Sequence, residues 1–135
     1  MKNTEDYYIK TSGANPHKNI IEFINKTDVK PGIAIDLGCG AGRDTLFLLN
    51  SNWTVYAVDI EDTSQFIKSK IPINGLNKFK FIHSSFSKFE FLKNDLTVAN
   101  YSLPFCNSTQ FKELWDKIVA NIKPQGYFVG NFFRN

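Results

Sequence analysis

The chain has 135 residues, 42% hydrophobic and 21% charged, with a formal net charge of +3, which is the size and balance of one globular domain with a real core. It has no block of five or more Lys/Arg and no apolar run near the roughly 18 residues of a membrane span, so neither nucleic acid nor a membrane is an expected partner. Cys39 and Cys106, the two cysteines, lie in different segments without partners at metal-ligand spacing; with no signal-peptide pattern, they fit a reducing cytoplasm and no metal site.

Residues 1–14 are polar apart from Tyr7, Tyr8 and Ile9 and read as an N-terminal arm, either a lid over a ligand or a cover for the sheet. Residues 15–135 read as the folded domain. Asn15-Pro16 predicts a helix start, with Asn15 as cap and Ile20, Ile21 and Ile24 at helical spacing. Lys30-Pro31-Gly32 ends it. A short apolar strand follows from Ile33 to Leu37, then a helix from Arg43 to Asn50 with Leu46, Phe47 and Leu49 on its buried side. Thr54 to Ile60 is a second strand, residues 62–70 a helix capped by Asp62 or Thr63, and Ile71 to Asn77, with Pro72 and Gly75, a loop. Phe79 to His83 and Leu96 to Tyr101 are the third and fourth strands. Asn107 with Gln110 resembles a capping box ahead of a helix carrying Phe111, Leu114, Trp115, Ile118 and Ile122. Pro124-Gln125-Gly126 turns the chain into a fifth strand, Tyr127 to Phe133. This alternation predicts an α/β fold: a Rossmann-like parallel sheet of about five strands with helices on both faces.

The chemistry lies in IDLGCGAGRDT, Ile35 to Thr45. The dinucleotide fingerprint needs Gly-x-Gly-x-x-Gly/Ala. From Gly38 the third small residue would fall at Arg43, and from Gly40 the next glycine is already Gly42. The spacing fails, which leaves a nicotinamide oxidoreductase a distant reading. Asp36, at the carboxyl end of the first strand, would repel a pyrophosphate and suits a cationic ligand. Asp59, ending the second strand, stands near the offset at which an acid accepts from two ribose hydroxyls. A ribose, no diphosphate and a cationic tail together match S-adenosylmethionine. Taken singly, Asp36 could cap the glycine turn and Asp59 the next helix.

AIDLGCGAGRDT resembles motif I of the class I S-adenosylmethionine-dependent methyltransferases, and VYAVDI their second motif. DLTVANYSLPF and IKPQGYFVGNFF resemble the family's fourth and fifth strands with their flanking loops, and GCGxGRDT points to the tellurite-resistance and thiopurine subgroup. The resemblance implies cofactor contacts. Asp36, Gly38, Cys39 and Gly40 would meet the methionine part, with Arg43 and Asp44 at the rim. Asp59 with Ile60 beside it would meet the ribose, Ser85 and Phe86 the adenine, and Asn100 and Tyr101 the sulfonium side. Where the family often has an acid for the adenine amino group, this chain has His83-Ser84-Ser85, leaving that contact to a serine or to backbone.

The implied activity is in-line methyl transfer to a small-molecule acceptor, with S-adenosylhomocysteine as product and no obligate catalytic residue. The alternative is a non-catalytic cofactor-binding or interaction module, since the family's sheet has seven strands and this chain ends after its fifth. The uncovered aromatic strand Tyr127–Phe133 then suggests a homodimer. His17 reads as a solvated helix residue or a pocket residue, and His83 as packed or as a base. Tyr101 and Phe105 either wall a substrate site or pack their loop.

Overall fold

The computed structural model describes residues 15–100 and 108–130. The expected arm 1–14, Tyr101, Phe105, Cys106, Asn107 and the last five residues of the chain lie outside the described residues. The element order is α1 (Lys18–Lys26), β1 (Ile33–Leu37), α2 (Arg43–Asn50), β2 (Thr54–Asp59), α3 (Ser64–Lys68), a 3-10 segment (Ile73–Lys78), β3 (Phe79–His83), β4 (Asn94–Ala99), α4 (Ser108–Asn121) and β5 (Ile122–Gly130).

The five strands form one parallel sheet, order β3-β2-β1-β4-β5. After β3 the chain crosses back over β1 to start β4, so the winding reverses between β1 and β4. Open α/β sheets hold ligands in the crevice at the carboxyl ends of such a pair.

Alternation along β1 decides what faces that crevice. Ala34 packs with Ile20 and Phe23 of α1 and Leu48 of α2, while Ile35 and Leu37 pack with Leu114 and Ile118 of α4. Asp36 therefore shares the α1/α2 face with Ala34. It lies in register with Ala57, so Asp59 stands one same-face step further toward the carboxyl end of the sheet.

Several boundaries differ from the sequence expectation. The α1 N-cap is His17, without a side-chain cap bond of its own, rather than Asn15. On α2 the fully buried apolar residue is Leu48, at 0% exposure, and Leu46, Phe47 and Leu49 are half-buried. The helix is wedged between two clusters, Phe47 and Leu49 against one and Leu46 and Leu49 against the other. α3 has only five residues, with Thr63 as N-cap. The expected loop after it holds a 3-10 segment. β4 starts at Asn94, two residues ahead of expectation. Its buried amide donates to Leu92 O and Asn121 O and its oxygen accepts from Thr97, so a polar residue sits inside the sheet at no hydrogen-bond deficit.

The Pro124-Gln125-Gly126 turn falls inside β5 as an irregularity. Asn94 faces Ile122 and Leu96 faces Tyr127, so Lys123–Gly126 bulge out opposite Asp95, with Gln125 at φ 69°. α1 and α4 grip the strand from both faces. Tyr127 meets Phe23 edge-on at 4.9 Å between ring centroids, and Phe128 meets Trp115 at the same separation.

Ile118→Ala removes a fully buried contact between α4 and the sheet and is expected to lower unfolding free energy by about 2–4 kcal/mol in urea titration. Its neighbour Val119, 54% exposed, sets the control: Val119→Ala stays within about 0.5 kcal/mol of the parent.

Candidate cofactor site

The glycine loop runs from β1 into α2 with Gly38, Gly40 and Gly42 at φ 72°, 54° and 88°, the left-handed region in which a side chain is strained. Gly38 N–H and Cys39 N–H donate to Val58 O at 2.8 and 3.2 Å, tying the loop to β2. Gly42 is the α2 N-cap, and a Cβ there would lie 2.6 Å from Ile67 Cγ1. That glycine is needed for close packing as well as for its dihedral.

Asp59 joins this loop to the next. Its Oδ2 accepts Gly40 N–H and its Oδ1 accepts Glu61 N–H, each at 2.9 Å. The Thr63 hydroxyl donates to Gly40 O at 2.6 Å, so the Gly40 residue is held through both its N–H and its carbonyl. The buried Cys39 Sγ lies 3.8 Å from Gly40 O and 4.0 Å from Thr63 Oγ1. Burial, then Asp36 and Asp59, push its thiol well above the usual range, which keeps it protonated and unsuited to nucleophilic work.

Three carboxylates gather here, Asp36, Asp44 and Asp59, at 3%, 4% and 8% exposure. Asp36 Oδ2 accepts the Thr45 hydroxyl at 2.6 Å. Burial, with Asp44 second and against the opposing Thr45 bond, raises its carboxyl to about 7. A cationic group placed beside it would relieve that penalty. The donor set thus fits a ligand with an ammonium or sulfonium.

Arg43 and Asp44, expected at the rim, enter a network that reaches α1 and the end of β4. Asp44 Oδ1 accepts His17 N–H at 2.9 Å; Oδ2 accepts His17 Nδ1–H at 2.7 Å and Asn100 Nδ2–H at 2.9 Å. Arg43 Nη2 donates to His17 Nε2 at 2.5 Å, which sets the imidazole proton on Nδ1. Asn19 and Asn100 exchange amide bonds at 2.6 and 3.1 Å. Asp44 is thus the capping acceptor of α1, supplied from another element, and His17 is neither solvated nor simply a pocket residue.

On the far side, Ser84 N–H donates to Asp59 O at 3.0 Å, which sets Ser85 and Phe86 close to the end of β2. Ser85 Oγ lies 3.2 Å from Ser87 Oγ, and Phe86 packs on the α4-side core. Ile60 is 66% exposed next to Asp59, and His83 Nε2–H donates to its carbonyl at 2.8 Å, a structural role. Tyr101 lies outside the described residues. Thr45 and Asn19 were not singled out from the sequence, and Thr63 only as a helix cap, which it is. Thr45 was within reach as the last residue of the motif, whereas Asn19 carries no local signal.

A family model described as Tellurite resistance protein TehB matches residues 1–130. The chain belongs to the TehB family. This TehB-family chain is also 31% identical over 97 residues to a carboxy-S-adenosyl-L-methionine synthase of Campylobacter jejuni, a match covering 70% of the chain and 41% of that relative. It thus spans less than half the length of the curated relatives it matches. Among solved structures it is similar to TehB from Haemophilus influenzae, with TM-score 0.76, 19% identity and 95% of this chain against 45% of that one. The glycopeptide N-methyltransferase MtfA complexed with S-adenosyl-L-methionine gives TM-score 0.74 at 18% identity, over 87% and 54% of the two chains. These likenesses show the Rossmann-like methyltransferase fold.

Two substitutions probe the buried charges of this TehB-family site. The folded Asp36 carboxyl holds its proton up to about pH 7, whereas the unfolded one releases it near 3.8. Native protein therefore binds more protons in that window, and stability falls as pH rises through it, with the full penalty present above pH 7. Asp36→Asn should flatten this slope and be the more stable form at pH 8 by on the order of a few kcal/mol, read from urea titrations at pH 5 and pH 8. His17→Ala strips the Nδ1 donor from the buried Asp44 and should cost about 1–3 kcal/mol in the same assay.

Proposed function

We propose that this chain binds S-adenosylmethionine at the carboxyl end of its sheet, transfers the methyl group to a small-molecule acceptor and releases S-adenosylhomocysteine. The observation that carries the reading is the Asp59 carboxylate, which pins the left-handed Gly40 peptide on one oxygen and the Glu61 N–H on the other. Each oxygen accepts one backbone N–H and keeps a further lone pair for a ribose hydroxyl.

S-adenosylmethionine supplies a methyl group already activated on a sulfonium. The residues of the chain have to hold, orient and shield it. Backbone at Gly38, Cys39 and Gly40 leaves room for the methionine part, and Asp36 faces its positive charge. Asp59 takes the ribose, the exposed Ile60 offers an apolar surface to the adenine ring, and Ser85 and Phe86 take its edge. Asn100 flanks the sulfonium side, the place where the family resemblance also puts Tyr101. Arg43 and Asp44 act at the rim through the His17 network, fixing where α1 meets the site. With the leaving group charged at the outset, alignment and exclusion of water account for the chemistry, and a base is needed only for an acceptor that carries a proton at working pH.

A second reading, a cofactor-binding module without turnover, draws on the 41% of the curated relative's length that the match covers. Calorimetric titration with S-adenosylmethionine and S-adenosylhomocysteine tests the shared step. Binding is expected, with stabilisation of about 2.7 kcal/mol at a hundredfold excess over Kd, and with affinity lost in Asp59→Ala. Absence of binding by the folded chain, or equal binding by Asp59→Ala, overturns both readings. Binding without methyl transfer to any acceptor in a panel selects the second.

A further inference from the structure

The basic excess of the chain is concentrated in one stretch. Residues 63–89 carry five lysines, Lys68, Lys70, Lys78, Lys80 and Lys88, and no Asp or Glu, leaving eleven Lys/Arg against thirteen Asp/Glu in the remainder. This stretch comprises α3, the 3-10 segment and β3, the last of which is an edge strand of the sheet. Lys68, Lys70, Lys80 and Lys88 are exposed and Lys78 half-buried.

Within this basic stretch the 3-10 segment turns apolar side chains outward, with Lys70 shortly before it, Lys78 as its last residue and Lys80 just after it, while Lys88 lies past the far end of β3. Three residues per turn set positions i and i+3 on one face, which aligns Ile73 with Leu76. They are 90% and 37% exposed. The segment itself is well anchored: Ile71 is buried at 9%, and Gly75 N–H donates to Pro72 O at 2.8 Å. Ile73 is therefore presented on a fixed turn.

We propose that this edge docks on an anionic lipid surface, with Ile73 and Leu76 entering the headgroup boundary and the neighbouring Lys70, Lys78 and Lys80 meeting the lipid charge. Charge complementarity selects an anionic partner, and the outward aliphatic pair selects a bilayer among anionic partners. Single-stranded nucleic acid is held by exposed aromatic side chains; on this edge Phe79 is buried and Phe81 half-buried. Lysines that only blunt a sheet edge would call for no exposed apolar pair beside them. The 3-10 segment leads into the amino end of β3, whereas Asp36 and Asp59 stand near the carboxyl ends of β1 and β2. Docking would leave the cofactor site open toward solution, and it is independent of what that site binds.

Flotation of the full chain with phosphatidylcholine vesicles, with and without about a third phosphatidylserine, tests the proposal. Binding is expected only with phosphatidylserine and should disappear at high salt. Lys78→Gln/Lys80→Gln should weaken it about 25-fold, roughly fivefold per lysine, and Ile73→Ser/Leu76→Ser about 10-fold or more. Both pairs are surface changes whose melting temperature should match the parent, which separates lost docking from lost fold. No binding to phosphatidylserine vesicles, equal binding to neutral ones, unchanged binding by either double variant, or preference for a single-stranded oligonucleotide over the vesicles overturns it.

Discussion

A single carboxylate, Asp59, joins the two turns on which the site rests. The glycine loop after β1 and the turn after β2 are separate pieces of backbone, and each offers Asp59 one N–H. Charge-assisted bonds of this kind are stronger than neutral ones and fix direction. With Thr63 holding the opposite side of Gly40, the loop keeps its left-handed path before any ligand arrives. That rigidity is accompanied by crowding, since Asp36 and Asp44 are buried close by. Asp36 carries the electrostatic penalty in the shape of its raised carboxyl. Penalties of this kind are expected where a protein holds itself ready for a charged partner.

The second constraint runs the other way across the sheet. Asp44 reaches from the first turn of α2 to cap α1, and Asn100 reaches from just beyond β4 to both Asp44 and Asn19. Three elements that are distant in sequence thereby meet at the crevice where the winding of the sheet reverses. The position of α1 is set by this network more than by the intrinsic preference of a nine-residue helix.

These two constraints differ in how far a sequence can report them. Asp36, Gly38, Gly40 and Asp59 all belong to one β-turn-helix-β unit, so their offsets are fixed by local geometry and can be read directly. The strand β1 was legible because buried parallel strands are short apolar runs between turn residues, β3 because Phe79 and Phe81 alternate with Lys80, and α2 because Gly42 and Ser51 bound it. The network at Asp44 joins positions 26 to 81 residues apart, and no local pattern encodes it. The same long reach explains the misplaced start of α1: Asn15-Pro16 is a sound local signal, overridden by a cap from another element. Leu48 was missed because α2 is buried from two sides, so its apolar stripe does not mark one face. Pro124-Gln125-Gly126 does turn the chain, but as an excursion within a strand that β4 pairs on both sides of the turn.

The place of β1 at the centre of the sheet also bears on how the chain comes together as it is made. β1 pairs with β2 on one side, while on the other Ala34 must wait for Leu96 of β4. Ile35 and Leu37, bare of exposure in the finished fold, are covered by Leu114 and Ile118 of α4, which are synthesised well after them. β1 is thus sealed long after it is made, with one hydrogen-bonding edge open in the interval. Pairings of such long sequence separation form slowly, and the stretch from β1 to β3 is the one most in need of protection from aggregation until β4 and α4 are in place.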